Sequence, residues 1–246
     1  MKGSVCQTAV DGRRTDLYLP PKGLLTPDCL TAFVGDAGAL FELLPNVMPA
    51  LEERMEQSGR GLVIVGMYPG DRDADYTPWP AKGFDENYPD FPGRAGDYIR
   101  WIDERLLPEL SARCTIADAP ERRCIAGYSL SGLLATYLPF ISPNFGWSAS
   151  ISGSNWYEGF ADYLSAHRPR TDCRFFLSYG RAEGAGKYSM HRDAGECAQA
   201  AAAALSRSCG GDHVQLVSDN GKHHNKRTAR FTTALSWFLL QGKFPE

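Results

Sequence analysis

Short, continuously apolar runs alternate along the chain with longer segments in which apolar residues recur every three or four positions. Residues 61–67 (GLVIVGM) are apolar at nearly every position, which is typical of a parallel strand covered on both faces. Residues 46–57 instead carry Val47, Leu51 and Met55 four positions apart, on one face of a helix. Because strands and helices alternate along most of the chain, we predict an α/β protein with a mostly parallel sheet and helices on both faces.

The predicted strands are short apolar or alternating runs that end at glycine, proline or polar turns. They cover residues 4–10, 15–19, 29–34, 61–67, 122–128, 147–152, 174–179 and 214–218. The first two flank Asp11-Gly12 and are expected to form a hairpin. The predicted helices share helical spacing of their apolar residues and cover 46–57, 95–110, 133–141, 159–167, 190–208 and 228–240.

Residues 68–95 interrupt this pattern with prolines, glycines, aromatics and carboxylates in no regular period. A loop of this length in a compact domain is uncommon and is usually functional. We expect it to lie on the substrate side of a single domain that spans residues 1–246, a length that one large α/β domain can reach.

Composition narrows the classes of function. The net charge is −3 and charged residues make up 22%, so we expect no nucleic-acid partner and no polybasic membrane contact. No apolar run approaches the ~20 residues of a membrane span, and the N-terminal residues lack the apolar core of a signal peptide. Seven scattered cysteines without a C-x-x-C pair argue against a zinc site or a disulfide framework. A cytoplasmic protein with free thiols is expected, its oligomeric state open.

A nucleophile motif lies where a strand meets a helix. Residues 127–131 (GYSLS) follow the apolar strand 122–128 and lead directly into a helix, which is the context of a nucleophile elbow. Such a tight turn exposes the serine hydroxyl above the sheet, so Ser129 is the predicted nucleophile. Ser131 departs from the second glycine of G-x-S-x-G but is small enough for close packing. The structural alternative is that Ser129 is only a helix N-cap.

A serine hydroxyl needs a base to remove its proton, and that base needs an orienting acid. In α/β-hydrolases the acid and then the histidine follow the serine along the chain. His223 and His224 lie in the polar loop after the last strand, at the sheet edge where active sites form. His213 lies at the opposite end of that strand and His191 opens a helix, so both are expected at the surface.

The candidate acid is chosen by the same topological argument. Glu183 follows the strand 174–179 at its carboxyl end, whereas Asp172 precedes that strand on the wrong side of the sheet. Asp193 and Glu196 belong to the next helix, where a first-turn carboxylate more often interacts with the helix dipole. Glu183 is preferred and Asp193 is the main alternative.

Acyl transfer also needs two backbone N–H groups directed at the developing oxyanion. The first is expected from Leu130, the residue after the nucleophile, and the second from the loop 35–38 (GDAG) after the strand 29–34. Ala37 or Gly38 would be that second donor, although the segment could equally be an ordinary turn.

With these residues the chain resembles the putative-esterase branch of the α/β-hydrolases, which contains enterochelin-type siderophore esterases, S-formylglutathione hydrolases and mycolyltransferases. The likeness is carried by residues 35–38, residues 72–79, the Ser129 elbow and residues 219–229 ahead of Trp237. The string 72–79 (RDADYTPW) is the most diagnostic, because it is similar to an Arg-x-x-[Asp/Glu]-Tyr-x-Pro-Trp segment of siderophore-esterase-like members.

The resemblance implies the α/β-hydrolase fold and places the base on His223, which falls where the family has a histidine after a Gly-x pair. His224 then falls where an aromatic residue is common. The resemblance also supports Glu183, because the family often has Gly-x-x-Glu at that point.

The resemblance further implies that Arg72, Tyr76 and Trp79 line the substrate side; burial of this loop against the sheet is the structural alternative. The implied reaction is two-step acyl transfer on a small-molecule ester, with no metal or organic cofactor. A siderophore-type ester is the expected substrate. Two other functions stay open, namely transfer of the acyl group to an alcohol and a non-catalytic binding module on a hydrolase fold.

Overall fold

The apolar runs form one eight-stranded sheet in the part of the chain that the structure describes. The computed structural model describes residues 1–185 and 190–242. The strands are β1 (Ser4–Val10), β2 (Arg13–Leu19), β3 (Leu30–Gly35), β4 (Leu62–Met67), β5 (Arg123–Tyr128), β6 (Trp147–Ile151), β7 (Arg174–Gly180) and β8 (Val214–Asp219). Their order across the sheet is β1-β2-β4-β3-β5-β6-β7-β8.

Helices connect most of these strands. They are α1 (Ala37–Phe41), α2 (Leu44–Ser58), α3 (Arg72–Asp75), α4 (Ala95–Trp101), α5 (Leu107–Arg113), α6 (Leu130–Ile141), α7 (Phe160–Ala166), α8 (Ala194–Cys209) and α9 (Arg227–Leu239). Short 3-10 turns cover Lys22–Leu24, Pro120–Arg122, Met190–Asp193 and Gly211–His213. Among the described residues, no helix combines the length and apolar character needed to cross a bilayer.

The sheet is antiparallel only at its N-terminal edge. β1 pairs with β2, and β2 with β4, in antiparallel fashion, as expected for a hairpin at one edge. From β4 through β3, β5, β6 and β7 to β8 every pairing is parallel. The prediction of a mostly parallel sheet is therefore confirmed.

Side chains alternate between two apolar layers, one on each face of the sheet. Phe33 and Val65 contribute to the layer beneath α4 to α8, whereas Ala32 and Ile64, their immediate neighbours, contribute to the layer beneath α1, α2 and α9. This period of two follows from the pleat of the strands. Helices therefore cover both faces, and the sequence prediction of two-sided burial is confirmed.

Three predicted segments differ in detail from the structure. The predicted helix 95–110 is divided by a π-helical turn at Ile102–Leu106 before α5, whose second residue is Pro108. A proline lacks the N–H that a regular helix needs, and a π turn is one way to accommodate it. The predicted helix 190–208 begins as a 3-10 turn, and α8 starts only at Ala194. The segment 68–95 contains α3 and a bridge between Ala81 and Phe91.

The strand register aligns the ends that carry the candidate chemistry. Tyr128 at the end of β5 pairs with Ile151, and Ile151 pairs with Ser178 of β7. Gly180 pairs with Asp219 at the end of β8. The residues that follow these strands therefore meet along one edge of the sheet, which is where open α/β sheets bind ligands.

Candidate active site

Ser129 lies in the tight turn between β5 and α6 with φ 62° and ψ −122°. A positive φ is uncommon for a residue other than glycine and is retained only where surrounding contacts impose it. The Ser129 N–H donates to the carbonyl of Ile151 at 3.1 Å, and its own carbonyl accepts from the N–H of Ser154 at 3.0 Å. Hydrogen bonds to β6 and the turn after it thus hold the elbow in this conformation.

The contacts of Ser131 explain why a serine can stand in place of the second glycine of the G-x-S-x-G motif. Its hydroxyl accepts from the N–H of Tyr128 and donates to the carbonyl of Tyr128, both at 2.8 Å. The side chain is buried, and a Cβ added at Gly35 on the adjacent strand would lie only 2.8 Å from the Ser131 Cβ. A Cβ at Gly127 would overlap the main chain of Ser131. Gly35 and Gly127 therefore leave room for Ser131, whose hydroxyl stabilises the turn around Ser129.

A continuous chain of hydrogen bonds joins the three predicted polar residues. His223 Nε2 lies 3.2 Å from Ser129 Oγ, and His223 Nδ1 lies 2.9 Å from Glu183 Oε2. Ser129 occupies the N-cap position of α6 but makes no capping hydrogen bond with its side chain. The side chain of His223 is 27% exposed and that of Glu183 is 3% exposed, so the imidazole faces the cavity and the carboxylate lies behind it.

Glu183 is held as an ionised carboxylate. Its Oε1 accepts from the hydroxyl of Ser152 at 2.8 Å, the N–H of Gly180 at 2.7 Å and the guanidinium of Arg230 at 2.8 Å. Burial acts to raise the pKa of Glu183, but hydrogen bonds from His223, Gly180 and Ser152 outweigh it and leave this pKa below its ordinary value. The carboxylate is thus available to accept the imidazole N–H at neutral pH.

The rival acids lie elsewhere. Asp193, the main alternative, precedes α8 and forms an ion pair with its neighbour Arg192 at 3.1 Å. Asp172 contacts His213 at 3.0 Å, at the amino end of the strands β7 and β8. The structure therefore brings Glu183, and neither of these residues, to His223. His191 was also predicted to lie at the surface, but its side chain is outside the part of the chain that the structure describes.

Of the predicted oxyanion donors, Leu130 is the one that lines the cavity together with Ser129. It is the first residue of α6, and first-turn N–H groups have no partner within the helix. The segment 35–38 is a turn into α1, with Asp36 in the left-handed conformation at φ 51°. Ala37 and Gly38 lie in the first turn of α1 and are not among the described residues that line the cavity.

The cavity above Ser129 has a volume of about 260 Å³ and combines polar and aromatic walls. Arg72 lines it and donates from Nε to Asp36 Oδ2 at 2.7 Å. Phe84 and Trp156 form an aromatic wall, with ring centroids 5.2 Å apart. The remaining lining residues are Ser129, Leu130, Ser152, Gly153, Glu183, Gly184, Ala194, His223 and His224.

Two of the three predicted substrate-binding residues are placed differently. Tyr76 is fully buried, and its hydroxyl accepts the N–H of Asp36 at 2.8 Å. Trp79 packs among aromatic rings of α6 and α7, and its indole N–H donates to the carbonyl of Glu158 at 2.9 Å. Tyr76 and Trp79 are therefore not among the described residues that line this cavity, because their rings pack the loop 68–95 against neighbouring elements.

Ser152, Phe84 and Trp156 also line the cavity, although they were not among the predicted site residues. Ser152 follows β6 at φ 46°, at the same edge of the sheet as the other site residues. Applying the carboxyl-end rule to β6 as well as to β5, β7 and β8 would have found it. Phe84 carries no comparable signal, because it lies within an irregular segment.

Within residues 1–185 and 190–242, no cluster of three or more His, Cys, Asp or Glu side chains has an arrangement that could hold a metal ion. All seven cysteines are free thiols.

A mostly parallel sheet with serine, acid and histidine at its carboxyl edge defines the class of protein as an α/β-hydrolase. Within that class, the family model described as "Putative esterase" matches residues 46–235, and the chain belongs to this family. The chain is also 32% identical to the uncharacterized protein YbbA of Bacillus subtilis (strain 168) over 251 residues, which are 99% of this chain and 98% of that protein. Family membership supports an esterase function and a small-molecule ester substrate.

Solved structures share the fold over almost the whole chain. The siderophore hydrolase EstA from Aspergillus nidulans superposes with a TM-score of 0.77 at 17% identity, covering 98% of this chain and 95% of that chain. EstB from the same organism gives 0.72 at 18% identity, covering 100% and 97%. The enterobactin esterase FES from Shigella flexneri gives 0.71 at 18% identity and covers 98% of this chain but 58% of its own. These similarities confirm the α/β-hydrolase fold.

Proposed function

We propose that this protein is a serine carboxylic-ester hydrolase in which Ser129, His223 and Glu183 act as nucleophile, base and orienting acid. The observation that carries the proposal is the hydrogen-bond chain from Ser129 Oγ through the His223 imidazole to Glu183. It opens onto the cavity at the carboxyl edge of the sheet. An activated serine with this supporting pair is the arrangement that acyl transfer requires.

In the first half-reaction, Ser129 Oγ attacks the ester carbonyl while His223 Nε2 takes the hydroxyl proton. The carboxylate of Glu183, 2.9 Å from Nδ1, stabilises the imidazolium that forms. The imidazolium then returns the proton to the departing alcohol, which leaves an acyl-enzyme on Ser129. In the second half-reaction, His223 takes a proton from water, the hydroxide attacks the acyl carbon, and the proton returns to Ser129 Oγ as the acid leaves.

The tetrahedral intermediates carry an oxyanion that needs backbone donors. The N–H of Leu130 is the first proposed donor, since Leu130 lines the cavity beside Ser129. The second would come from the first turn of α1, at Ala37 or Gly38, where N–H groups have no partner within the helix.

The substrate class that we propose is a siderophore-type ester. Support comes from the structural neighbours, which are described as siderophore hydrolases and as an enterobactin esterase. The aromatic wall of Phe84 and Trp156, together with the guanidinium of Arg72, suits a ligand that has aromatic and acidic groups.

A cytoplasmic location is part of the proposal, because seven free thiols are typical of a reducing compartment.

The experiment is labelling with a fluorophosphonate probe, followed by peptide mass spectrometry. We expect one adduct, on Ser129, that is absent in Ser129→Ala and strongly reduced in His223→Ala. Ser58→Ala, which changes an exposed serine at the end of α2, is the control and should label as the wild type does. Labelling at another serine, or none, would contradict the proposed mechanism.

The substrate class is tested separately by comparing hydrolysis of tris-catecholate and hydroxamate siderophore esters with that of p-nitrophenyl acetate. We expect higher kcat/KM for at least one siderophore ester. Equal or slower turnover of every siderophore tested would remove that substrate assignment while leaving the serine mechanism in place. Product analysis in the presence of alcohols distinguishes hydrolysis from acyl transfer.

A further inference from the structure

Arg230 is a buried guanidinium directly behind the candidate active site. It lies in the first turn of α9, and its side chain is 3% exposed. Nη1 donates to Glu183 Oε1 at 2.8 Å, to the carbonyl of His223 at 3.2 Å and to the hydroxyl oxygen of Ser152. The same side chain therefore contacts the acid, the main chain of the histidine and a serine that also binds the acid.

The other edge of the guanidinium is bound to the end of β8. Nε and Nη2 form a two-point contact with the carboxylate of Asp219, at 2.7 and 3.0 Å, and Nη2 also donates to the carbonyl of Lys222 at 3.3 Å. Asp219 Oδ1 in turn accepts the N–H of Gly221. Arg230 thus fixes the loop that carries His223 from both of its ends.

The surrounding backbone makes room for this guanidinium. A Cβ added at Gly180, the last residue of β7, would overlap Arg230 Nη2 and the carbonyl of Gly221. Burying a charge is costly unless it is paired and hydrogen-bonded, and here two carboxylates and two carbonyls satisfy it. A lysine could not reach these acceptors together, because its ammonium is a single point whereas the guanidinium is a planar fork.

We infer that Arg230 is a positioning residue for the ester hydrolysis, which holds the carboxylate of Glu183 and the main chain of His223 in fixed relation. This inference rests on the proposed function of Ser129, His223 and Glu183. The acid comes from the loop after β7 and the histidine from the loop after β8, and the guanidinium bridges these two loops. Its charge also offsets that of Glu183, so it limits how strongly the carboxylate favours the protonated imidazole.

The titratable and charged groups around the Glu183–His223 pair come from β5, the loops after β7 and β8, α9 and the cavity wall. Among the described residues these groups include Tyr128, Asp219, His224, Arg227, Arg230 and Arg72. A second cavity beside Glu183 is lined by Arg181, Arg192, Asp193 and Glu196. Among residues 1–185 and 190–242, Arg230 is the arginine or lysine that forms an ion pair with Glu183, at 2.8 Å. Its removal should therefore dominate any electrostatic change at the imidazole.

The test compares Arg230→Met and Arg230→Lys with the wild type across pH, using the rate of ester hydrolysis and fluorophosphonate labelling. The acid limb of kcat/KM reports protonation of the base in the free enzyme. In Arg230→Met we expect this limb to move to higher pH and kcat to fall roughly 10-fold to 100-fold. Arg230→Lys keeps a cation but loses the fork, so its limb should stay near the wild-type position while kcat still falls.

Asp219→Asn provides a second, milder variant that does not remove the buried cation. It leaves the charge of Arg230 less compensated, so the acid limb should move to lower pH, opposite to Arg230→Met. Arg123→Met is the matched control. Arg123 is also buried, but it donates to the carbonyl of Ala117 at the amino end of β5, away from Ser129. The Arg123→Met variant should be less stable than the wild type, but the acid limb of its kcat/KM profile should stay at the same pH.

The outcomes separate the inference from the function on which it rests. If the wild type hydrolyses esters but the limb is unmoved in Arg230→Met and in Asp219→Asn, the positioning role is overturned and the serine mechanism stands. If the wild type neither labels nor hydrolyses, the proposed function fails. In that case histidine NMR titration still decides the inference, because the His223 curve should shift to higher pH in Arg230→Met and an unshifted curve would overturn it.

Discussion

At the scale of single residues, Ser131 shows how one side chain can replace a motif glycine. Its hydroxyl bonds both main-chain groups of Tyr128, which precedes the nucleophile, and its Cβ fits against Gly35 of the neighbouring strand. The serine therefore strengthens the strained turn around Ser129. A glycine at position 131 would lack the hydroxyl that forms these two hydrogen bonds.

We predict that Ser131→Gly lowers the free energy of unfolding by about 1–2 kcal/mol, because two buried hydrogen bonds are lost and the unfolded chain gains entropy. Activity should fall by less than it does in Ser129→Ala. Ser131→Ala, which keeps the Cβ, separates the two contributions. Urea denaturation gives the measurement, and an unchanged midpoint in both variants would contradict the proposed role of the hydroxyl.

Glu183→Gln tests the acid at the same scale. The amide keeps the shape of the carboxylate but cannot stabilise an imidazolium, and it can favour the wrong tautomer of His223. We expect kcat to fall by roughly 10³-fold to 10⁴-fold. Asp193→Asn is the control, because Asp193 contacts Arg192 instead. A larger loss in Asp193→Asn than in Glu183→Gln would reassign the acid.

At the scale of elements, the segment 68–95 is a packed substructure. Its α3 and the bridge between Ala81 and Phe91 are anchored by Trp79, whose ring lies within 6.3 Å of four aromatic rings. Phe84 of the same segment reaches the cavity. Packing at Trp79 therefore supports the part of the segment that faces a substrate.

Trp79→Ala should lower the free energy of unfolding by about 2–4 kcal/mol, because a large ring and its indole hydrogen bond are removed from an aromatic cluster. Trp79→Phe should lose less. Since Trp79 does not line the cavity, we expect faster proteolysis within residues 68–95 as the main effect. Thermal unfolding and limited proteolysis are the measurements; loss of substrate affinity at full stability would instead support the direct binding role that the sequence predicts for Trp79.

Sequence patterns were sufficient for the long elements and for the three polar residues of the site. The strands β3 and β4 could be located because two-sided burial requires continuous apolar runs, and topology then placed Ser129, Glu183 and His223 at one edge. Helices α1 and α3 were missed because four or five residues are too few to show a helical period. The positions of Tyr76 and Trp79 depend on tertiary packing, which local sequence does not encode.

Arg230 was missed for a different reason. Arg230 lies in the first turn of α9, and nothing in the local sequence distinguishes it from a solvated surface arginine. Its two carboxylate partners lie 47 and 11 positions away along the chain. A buried cation of this kind is identified only when the loops after β7 and β8 are seen together.

At the scale of the whole molecule, buried carboxylates connect distant parts of the fold. Glu52 of α2 accepts from the main-chain N–H groups of Lys2 and Gly3 and from the hydroxyl of Tyr18 in β2. Burial acts to raise the pKa of Glu52, but hydrogen bonds from Gly3, Tyr18 and Lys2 outweigh it, and its pKa lies below the ordinary value. The start of the chain is thereby fastened to the layer of helices that covers the sheet.

A folded-state pKa that is depressed means that a carboxylate adds stability above its unfolded pKa and loses that contribution as pH falls through the folded pKa. Glu52, Glu183 and Asp219 all have lowered pKa values, so the free energy of unfolding should decrease below about pH 4.5. In Glu52→Gln this pH dependence should be weaker. Urea denaturation between pH 3 and 7 is the measurement, and an identical slope in wild type and variant would contradict the role of Glu52.

Ser129 and His223 are 94 positions apart in sequence, although their side chains are hydrogen-bonded. During synthesis the nucleophile emerges long before its base, which follows the last strand and precedes the last helix. A ribosome-bound chain that has released β5 and α6 but not the loop after β8 therefore holds an unactivated serine. Under the proposed mechanism, hydrolytic activity arises only once β8 and α9 have docked, so nascent fragments and C-terminally truncated products cannot consume substrate.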